Sequence, residues 1–459
     1  MPKTMLVAVA IVCAAASVTL RAQTAPLTLP QAVQLSLEKY PAVRIAAAQA
    51  AAAAEGINLA RKGYLPRLDL LAQFNRATRN NVFGMVLPQS VLPSMSGPVL
   101  GVNDGSAAWG SAVGVLVSWE PFDFGLRRAN VAGAESADRR ADAAIVRTRL
   151  EVSAAAADAF LTLLAAQETL RAAQAAVDRT RIAQELVNAL VKAELRPGVD
   201  AERARAEAAL SEGQLIEARR AVALARIALG ELVGVPASVL AVQPGALLGV
   251  PSPDPAGAPA PQDHPAAKEQ SATVEEAQAR AKAVERSFFP RITLQAASYA
   301  RGSGARTDGT IASGSTGLAP DVPNWGVGLT VTFPLLELPA LHARREIERQ
   351  KERAESARYE QVVQDLSAAG ERAKASLDAA TSLVTTTEVR VSAARAADQQ
   401  ALARYKAGLG TVLEVADTTR LLTQAEIDAA LAKLNVWRAR LAAGVASGDL
   451  TAFVEQAGR

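Results

Sequence analysis

The chain has 459 residues, a formal net charge of +3 at pH 7, half of its residues hydrophobic and only 4% aromatic. Residues 1–22 read as a secretory signal peptide, and the only cysteine, Cys13, lies within it. The mature chain therefore has no thiol, which excludes a disulfide framework and a thiolate site. Without Lys3 and Arg21 its charge is close to balance, so nucleic acid is not an expected partner.

The apolar stretch of the N-terminal segment, Met5 to Val18, is shorter than the ~20 residues that span a bilayer. We therefore favour a cleaved signal over a membrane anchor. The residues before Cys13, Ala10-Ile11-Val12, form a poor lipoprotein box, so lipid attachment is not expected. Beyond this segment we expect no transmembrane helix.

An internal duplication organises the mature chain. Tyr64–Leu70 recurs as Phe288–Leu294 at an offset of 224 residues, and Val115–Phe122 aligns with Gly328–Leu335 at an offset of 213. Such a repeat predicts two similar halves. The predicted organisation is a first repeat, a proline-rich linker, a second repeat and a C-terminal tail, at residues 23–234, 235–264, 265–447 and 448–459.

Each repeat is expected to contain a short helix, two strands, a long helix and a second short helix. The first long segment lacks proline and carries an apolar row every seven residues at Leu163, Leu170 and Val177. At 1.5 Å per residue each would reach ~100 Å, which favours long antiparallel coiled-coil helices over a compact globule. The predicted long helices are 126–195 and 339–407, and the predicted strands are 66–77, 111–121, 290–300 and 324–334, with an extracellular loop at 78–110.

The four predicted strands alternate between bulky apolar residues and small or polar ones, which a transmembrane β-barrel requires and a half-buried soluble sheet also allows. Four strands cannot close a membrane barrel, because the minimum is about eight and an open edge in lipid leaves backbone groups unpaired. Either the sheet is soluble or several chains pool their strands, and three chains would supply twelve. The bulky sets are Leu68, Leu70, Ala72 and Phe74; Val113, Val115, Val117 and Trp119; Ile292, Leu294 and Ala296; and Trp325, Val327, Leu329, Val331 and Phe333.

Three motifs, together with the repeat order, resemble the TolC/OprM-type outer-membrane efflux proteins. They are Leu65-Pro66-Arg67 at a strand start, the strand exit Trp119–Gly125 and the helix turn Arg404–Val415. The resemblance implies a mainly α fold with a β-barrel part. It implies a homotrimer whose shared 12-stranded transmembrane β-barrel crosses the outer membrane and continues as an α-barrel tunnel in the periplasm.

The same resemblance implies a function and a set of partners. The chain would be the passive exit duct of a tripartite efflux or type I secretion system, in contact with outer-membrane lipid, a periplasmic membrane-fusion adaptor and an inner-membrane efflux pump. Ducts for drugs, metals and proteins share this exterior, so we expect cargo specificity to reside in the pump. The rival hypotheses are a soluble periplasmic coiled-coil adaptor or scaffold and a secreted enzyme.

No catalytic constellation, cofactor motif or metal-ligand spacing is visible in the sequence, so an enzyme is disfavoured and no cofactor or metal is expected. His264 lies in the linker and His342 lies near the start of a helix, too far apart in sequence to suggest a metal site.

The candidate gate residues lie in the two helix-helix turns far from the strands. Glu414 and Asp417 are three residues apart, hence on one helical face, and three-fold symmetry would present six carboxylates that favour cations. The alternative for Glu414 is local, since Thr411-x-x-Glu414 is also a capping box. The resemblance implies that Asp200, Tyr405, Glu414 and Asp417 belong to the periplasmic gate.

At Gly410 the chain departs from the family pattern, because the best-known member has its gate arginine there. Arg196, in the other turn, is the candidate substitute. We expect a gate that is less firmly latched, with low channel resistance and little change on Asp200→Ala.

The same turns are expected to dock the adaptor, again as the resemblance implies. Gly198 and Gly408 would also permit tight turns, a simpler explanation of their presence. The candidate docking residues are Ala193, Leu195, Pro197, Gly198 and Val199 in one turn and Ala407, Gly408, Leu409, Thr411 and Val412 in the other.

Overall fold

The computed structural model describes residues 26–78, 106–252, 260–306, 308 and 310–459. The predicted signal peptide, with Cys13, and all but the ends of the predicted loop 78–110 lie outside the described residues.

The described chain is mainly helical with one four-stranded sheet. The first repeat contains α1 (Leu29–Lys39), α2 (Pro41–Lys62), β1 (Arg67–Thr78), β2 (Ala107–Phe122), α3 (Leu126–Lys192) and α4 (Gly198–Val233). The second repeat contains α5 (Pro265–Arg286), β3 (Arg291–Ser303), β4 (Val322–Thr332), α6 (Leu338–Lys406) and α7 (Val412–Ser447), and is followed by α8 (Thr451–Ala457). Short 3₁₀ turns lie at Gly245–Leu248, Pro261–Asp263 and Leu335–Glu337.

The two repeats match closely in their helices, which confirms the predicted duplicated fold. Helices α2 and α5 each have 22 residues, and α4 and α7 each have 36. The long helices α3 and α6 have 67 and 69 residues. Equal helix lengths are expected if both copies must line one continuous helical wall.

Helix α3 is more apolar than the expectation of no transmembrane helix assumed. The helix contains an 18-residue window that is long and apolar enough to cross a membrane, and half of that window is buried within the described protein. The helix carries Phe160, Leu161, Leu163 and Leu164, all at most 1% exposed, in the main hydrophobic core. The apolar composition thus serves packing, as in the core helix of a soluble protein.

The sheet has the strand order β1-β2-β3-β4, and every neighbouring pair is antiparallel. Directly opposed residues in such pairs point to the same face. One cross-strand row runs through Leu70, Val115, Ser298 and Trp325, and the predicted bulky sets therefore share one face. That face is open, since Leu70 is 79% and Trp325 81% exposed.

A register shift between Trp119 and Phe122 extends this apolar face to the end of β2. Beyond the shift Phe122 pairs with Ile292, which in turn pairs with Val331. Without an extra residue Phe122 would point to the opposite face from Trp119, because side chains alternate along a strand. The bulge places Phe122 in the last apolar row.

The chain forms two compact units, and each draws on both repeats. The first unit contains the described residues up to Ala47 together with Ala144–Lys268 and Val362–Arg459. The second unit contains Ala48–Ala143 and Glu269–Gln361, and therefore the sheet.

Trp437 and the linker residue His264 are both buried in the first unit, and their side chains hydrogen-bond to backbone groups. The indole Nε1 of Trp437 donates to the Gly249 carbonyl oxygen (2.9 Å), and its ring meets Phe453 edge-on. His264 Nδ1 accepts from the Ala266 amide (3.0 Å), so its Nε2 donates to the Val445 carbonyl oxygen (2.9 Å). This histidine thus caps the start of α5.

Candidate functional site

Two helix turns in the first unit hold the candidate residues. The first turn, residues 193–197, joins α3 to α4, and the second turn, residues 407–411, joins α6 to α7. Both close with the same hydrogen bond, Leu195 N–H to the Leu190 carbonyl and Leu409 N–H to the Arg404 carbonyl, each 2.9 Å. The repeats therefore end their long helices in the same way.

The left-handed residue that this turn requires differs between the copies. Gly408 takes that position in the second turn with φ 81°, whereas Glu194 takes it in the first with φ 58°. Gly198 is the first residue of α4 and has no positive φ. Only Gly408 therefore supports the simple explanation of a glycine that permits a turn.

This asymmetry predicts opposite effects of two matched substitutions. Glu194→Gly should raise, and Gly408→Ala should lower, the free energy of unfolding by ~1 kcal/mol, because only glycine adopts a left-handed backbone without cost. A Cβ on Gly408 would have nothing within 4 Å, so the effect there is confined to the backbone. Thermal unfolding of the purified variants measures both changes, and a shift in the same direction for both would contradict this account.

Most of the candidate docking residues are exposed in the two turns. Leu409 is 72%, Leu195 69% and Val199 54% exposed, and Val412 alone is buried, at 6%. Val412 packs beneath the turns with Val415 and Tyr405, so it is no longer a docking candidate. The nine exposed candidates are Ala193, Leu195, Pro197, Gly198, Val199, Ala407, Gly408, Leu409 and Thr411.

Arg196 ties the first turn to the second. Its Nη2 donates to the carbonyl oxygens of Tyr405 (2.9 Å) and Gly410 (3.2 Å), and its Cζ lies 4.5 Å from the centre of the Tyr405 ring. One guanidinium thus combines two hydrogen bonds with a cation–π contact. Position 410 has glycine where the family pattern has an arginine, and the guanidinium of Arg196 instead binds the backbone carbonyl of Gly410.

Tyr405 and Asp200 lie beneath this arginine. Tyr405 is 1% and Asp200 8% exposed. Burial raises the pKa of the Tyr405 hydroxyl, the charge of Asp200 raises it further, and the guanidinium of Arg196 lowers it in part. Within the described part of the chain the hydroxyl has no hydrogen-bond partner at bonding distance, so we take Asp200 to act on it chiefly through its charge.

Glu414 and Asp417 are both exposed on the face of α7 that their spacing predicts. The Thr411 hydroxyl accepts from the Glu414 amide (3.2 Å), which forms one half of the expected capping box. The Glu414 carboxylate lies over Gly410, where its Oε2 would be 2.9 Å from a Cβ at that position. Glu414 therefore has a local role in addition to its charge.

A sequence profile described as outer membrane efflux protein matches residues 32–235 and 260–447. The match covers more than half of the chain. The chain belongs to the outer membrane efflux protein family.

Solved structures of other proteins share the fold of this efflux protein. The CusC channel is 16% identical with a TM-score of 0.75, and the alignment covers 93% of each chain. VceC of Vibrio cholerae is 20% identical with a TM-score of 0.70 and covers 92% of this chain and 96% of its own. CmeC of Campylobacter jejuni is 15% identical with a TM-score of 0.73 and covers 92% and 85%. No curated protein sequence matches significantly.

These comparisons place the efflux protein in the outer membrane. Its family is one of efflux proteins, and the structural neighbours CusC and CmeC are channels rather than enzymes.

One residue that the sequence analysis missed is Arg420 of this efflux protein. Its Nη1 lies 3.5 Å from Asp417 Oδ1, and its guanidinium also pairs with Glu207 of α4. Asp417 and Arg420 border a groove of about 1320 Å³ between α3, α4 and α7. The sequence spacing could have indicated this ion pair, since Arg420 lies three residues after Asp417 and hence on the same helical face. The acidic face of α7 thus carries a compensating cation.

Proposed function

We propose that this efflux protein is the passive exit duct of a tripartite efflux or type I secretion system. In this proposal three copies pool their strands into a 12-stranded barrel in the outer membrane. An inner-membrane pump supplies the energy, and a periplasmic membrane-fusion adaptor contacts the turns.

The observation that carries this proposal is the open sheet with one exposed apolar face. The strands β1 and β4 are its edges, and each pairs on one side only within the described residues. In lipid an unpaired edge costs several kcal/mol per unsatisfied backbone group. Pairing of β1 in one copy with β4 in the next removes both edges, and the exposed row of leucine, valine and tryptophan side chains then faces lipid.

This arrangement predicts disulfides between copies when one cysteine is placed on each edge. Three strand spacings of ~4.8 Å separate β1 from β4 in one chain, too far for an internal disulfide. In a Cys13→Ser background, Leu70→Cys combined in turn with Val327→Cys, Leu329→Cys and Val331→Cys should give linked dimers and trimers on non-reducing gels.

The matched control places the second cysteine on a central strand. Leu70→Cys with Leu294→Cys should remain monomeric on the same gels, because β3 pairs with β2 and β4 and is not an edge. If every edge pair also stayed monomeric after oxidation in outer-membrane fractions, shared closure of the barrel would be excluded. Enrichment of a heat-dissociable trimer in those fractions, and conductance in planar bilayers, test the duct itself.

The nine exposed turn residues are the proposed docking surface for the adaptor. Cysteine crosslinking from Leu195 and Leu409 to a cognate adaptor tests both turns, since these are their most exposed apolar side chains. Val412→Cys serves as the buried control. Absence of a crosslink from both turns would rule out docking at this surface.

The gate is proposed to lie at the same turns. Tyr405 and Asp200 form its buried part, the half-buried Arg196 lies against them, and Glu414 and Asp417 form its exposed acidic part. Gly410 has no side chain that could act as the gate arginine. In this proposal Arg196 takes that role, because its guanidinium donates to the Gly410 carbonyl oxygen.

A further inference from the structure

Two phenylalanines beside the sheet have half-exposed rings. Phe124 follows β2 by two residues and Phe289 precedes β3 by two. Their rings stack, with centroids 5.8 Å apart and planes 20° apart, and remain 48% and 42% exposed. We call them the aromatic pair. Neither belongs to the cross-strand rows of the apolar face, so that face does not explain their exposure.

Phe124 holds its ring there at a cost to the backbone. Its φ of 51° lies in the left-handed region. For a bulky residue this conformation costs ~1–2 kcal/mol, which a glycine would avoid. The combination of backbone strain and exposure indicates that the Phe124 ring has a functional role.

Arg286 adds a cation to the aromatic pair. Its Cζ lies 5.8 Å from the centre of the Phe289 ring, and its side chain is exposed at the end of α5. It has no carboxylate partner among the described residues, and its neighbour Glu285 pairs with Arg349 (3.0 Å). The guanidinium is therefore available to an external anion.

The place of the aromatic pair in the sheet indicates what covers it. Phe124 and Phe289 adjoin β2 and β3, the two central strands, whereas a second copy would pair at β1 and β4. A neighbouring subunit therefore meets the sheet two strands away. The pair lies two to three residues beyond the last apolar row, which contains Phe122 and Ile292. Aromatic residues in that position belong to the boundary between lipid tails and head groups.

We propose that Arg286, Phe124 and Phe289 bind an anionic phospholipid of the leaflet next to the helical end of the strands. The guanidinium binds the phosphate through paired N–H groups, and the rings lie against the upper acyl chain. This inference rests on the proposed barrel, because it requires β2 and β3 to cross the bilayer.

Native mass spectrometry of the full-length trimer tests the site with phosphatidylglycerol as the probe. We expect the wild type to bind more phosphatidylglycerol than phosphatidylcholine of the same chain length. Arg286→Gln should reduce that preference about fivefold, the effect expected for one basic residue near an anionic surface. Phe124→Gly should also lose the preference while raising thermal stability, because it relaxes the backbone.

The control variant is Arg61→Gln, which removes an exposed arginine that pairs with Glu135 in the same unit and should leave the preference unchanged. Equal preference in the wild type and Arg286→Gln, or an equal loss in Arg61→Gln, would overturn the proposal. So would full displacement of the lipid by inorganic phosphate, which would indicate an anion site without lipid. Trimer formation and conductance of the wild type, measured on the same samples, test the proposed duct separately.

Discussion

Replacing Arg196 by glutamine should raise the resting conductance of the channel in planar bilayers. The substitution removes the charged donor that holds the carbonyls of Tyr405 and Gly410, together with its contact to the Tyr405 ring. A hydrogen bond from a charged group contributes about 1.5–3 kcal/mol, and 1.4 kcal/mol corresponds to a tenfold change in an equilibrium. We therefore expect the open state to gain about tenfold in population relative to the closed state.

Two further variants separate the contacts of Arg196 with the Tyr405 and Gly410 carbonyls, which we call the latch, from a general effect of charge. Arg196→Lys keeps the charge but lacks the planar guanidinium that reaches both carbonyls. Its conductance should therefore lie between those of the wild type and Arg196→Gln. Arg203→Gln removes an exposed arginine of α4 that makes no side-chain hydrogen bond or ion pair within the described residues, and it should match the wild type. Equal conductance of wild type and Arg196→Gln would refute the latch.

Asp200→Ala should change the conductance little. Arg196 contacts backbone carbonyls rather than the carboxylate of Asp200, so these contacts survive the substitution. The variant instead removes a buried charge that raises the pKa of the Tyr405 hydroxyl. A large opening in Asp200→Ala would show that the carboxylate, and not Arg196, holds the turns together.

The general fold could be predicted because its signals are local and repeated. The period of two in the strands fixes which residues of each strand share a face, and the observed pairing of Leu70 with Val115 joins two residues of the predicted bulky sets. The bulge before Phe122 could not be predicted in this way, since the extra residue shifts the alternation only at the end of β2, where too few positions follow to reveal the new phase.

The site was predicted less completely, because it depends on contacts between distant residues. The sequence suggested Arg196 as a substitute for the missing arginine, but not that its guanidinium would reach the backbone of Gly410, 214 residues further along the chain. Glu194 was missed because glycine is the usual sign of a left-handed turn, and that position has glycine only in the second repeat. Val412 was assigned to the docking surface by its place in a turn, whereas burial is decided by packing against Tyr405.

Asp123→Asn should lower the free energy of unfolding by about 2–4 kcal/mol, because it breaks a buried ion pair at the junction of β2 and α3. Asp123 Oδ2 accepts from the Arg127 backbone amide (2.6 Å) and from Arg127 Nε (2.8 Å), and Oδ1 accepts from the Gly125 amide (3.1 Å). The two side chains are only 9% and 12% exposed. The midpoint of thermal unfolding measures the loss, and Glu217→Gln, which breaks an exposed pair with Arg220, should cost under ~1 kcal/mol.

The same contribution should depend on pH in a defined direction. Burial alone would raise the pKa of Asp123, but the hydrogen bonds from Arg127 and Gly125 and the charge of Arg127 outweigh it, so the pKa lies below its usual value. A carboxyl whose pKa is lower in the folded than in the unfolded state stabilises the fold fully above the unfolded value of ~3.9 and loses this effect as the pH falls through the folded value. The gap in stability between the wild type and Asp123→Asn should therefore be constant near neutral pH and narrow below pH ~4. A gap that stays constant into strong acid would mean that packing, rather than the charge of Asp123, stabilises this junction.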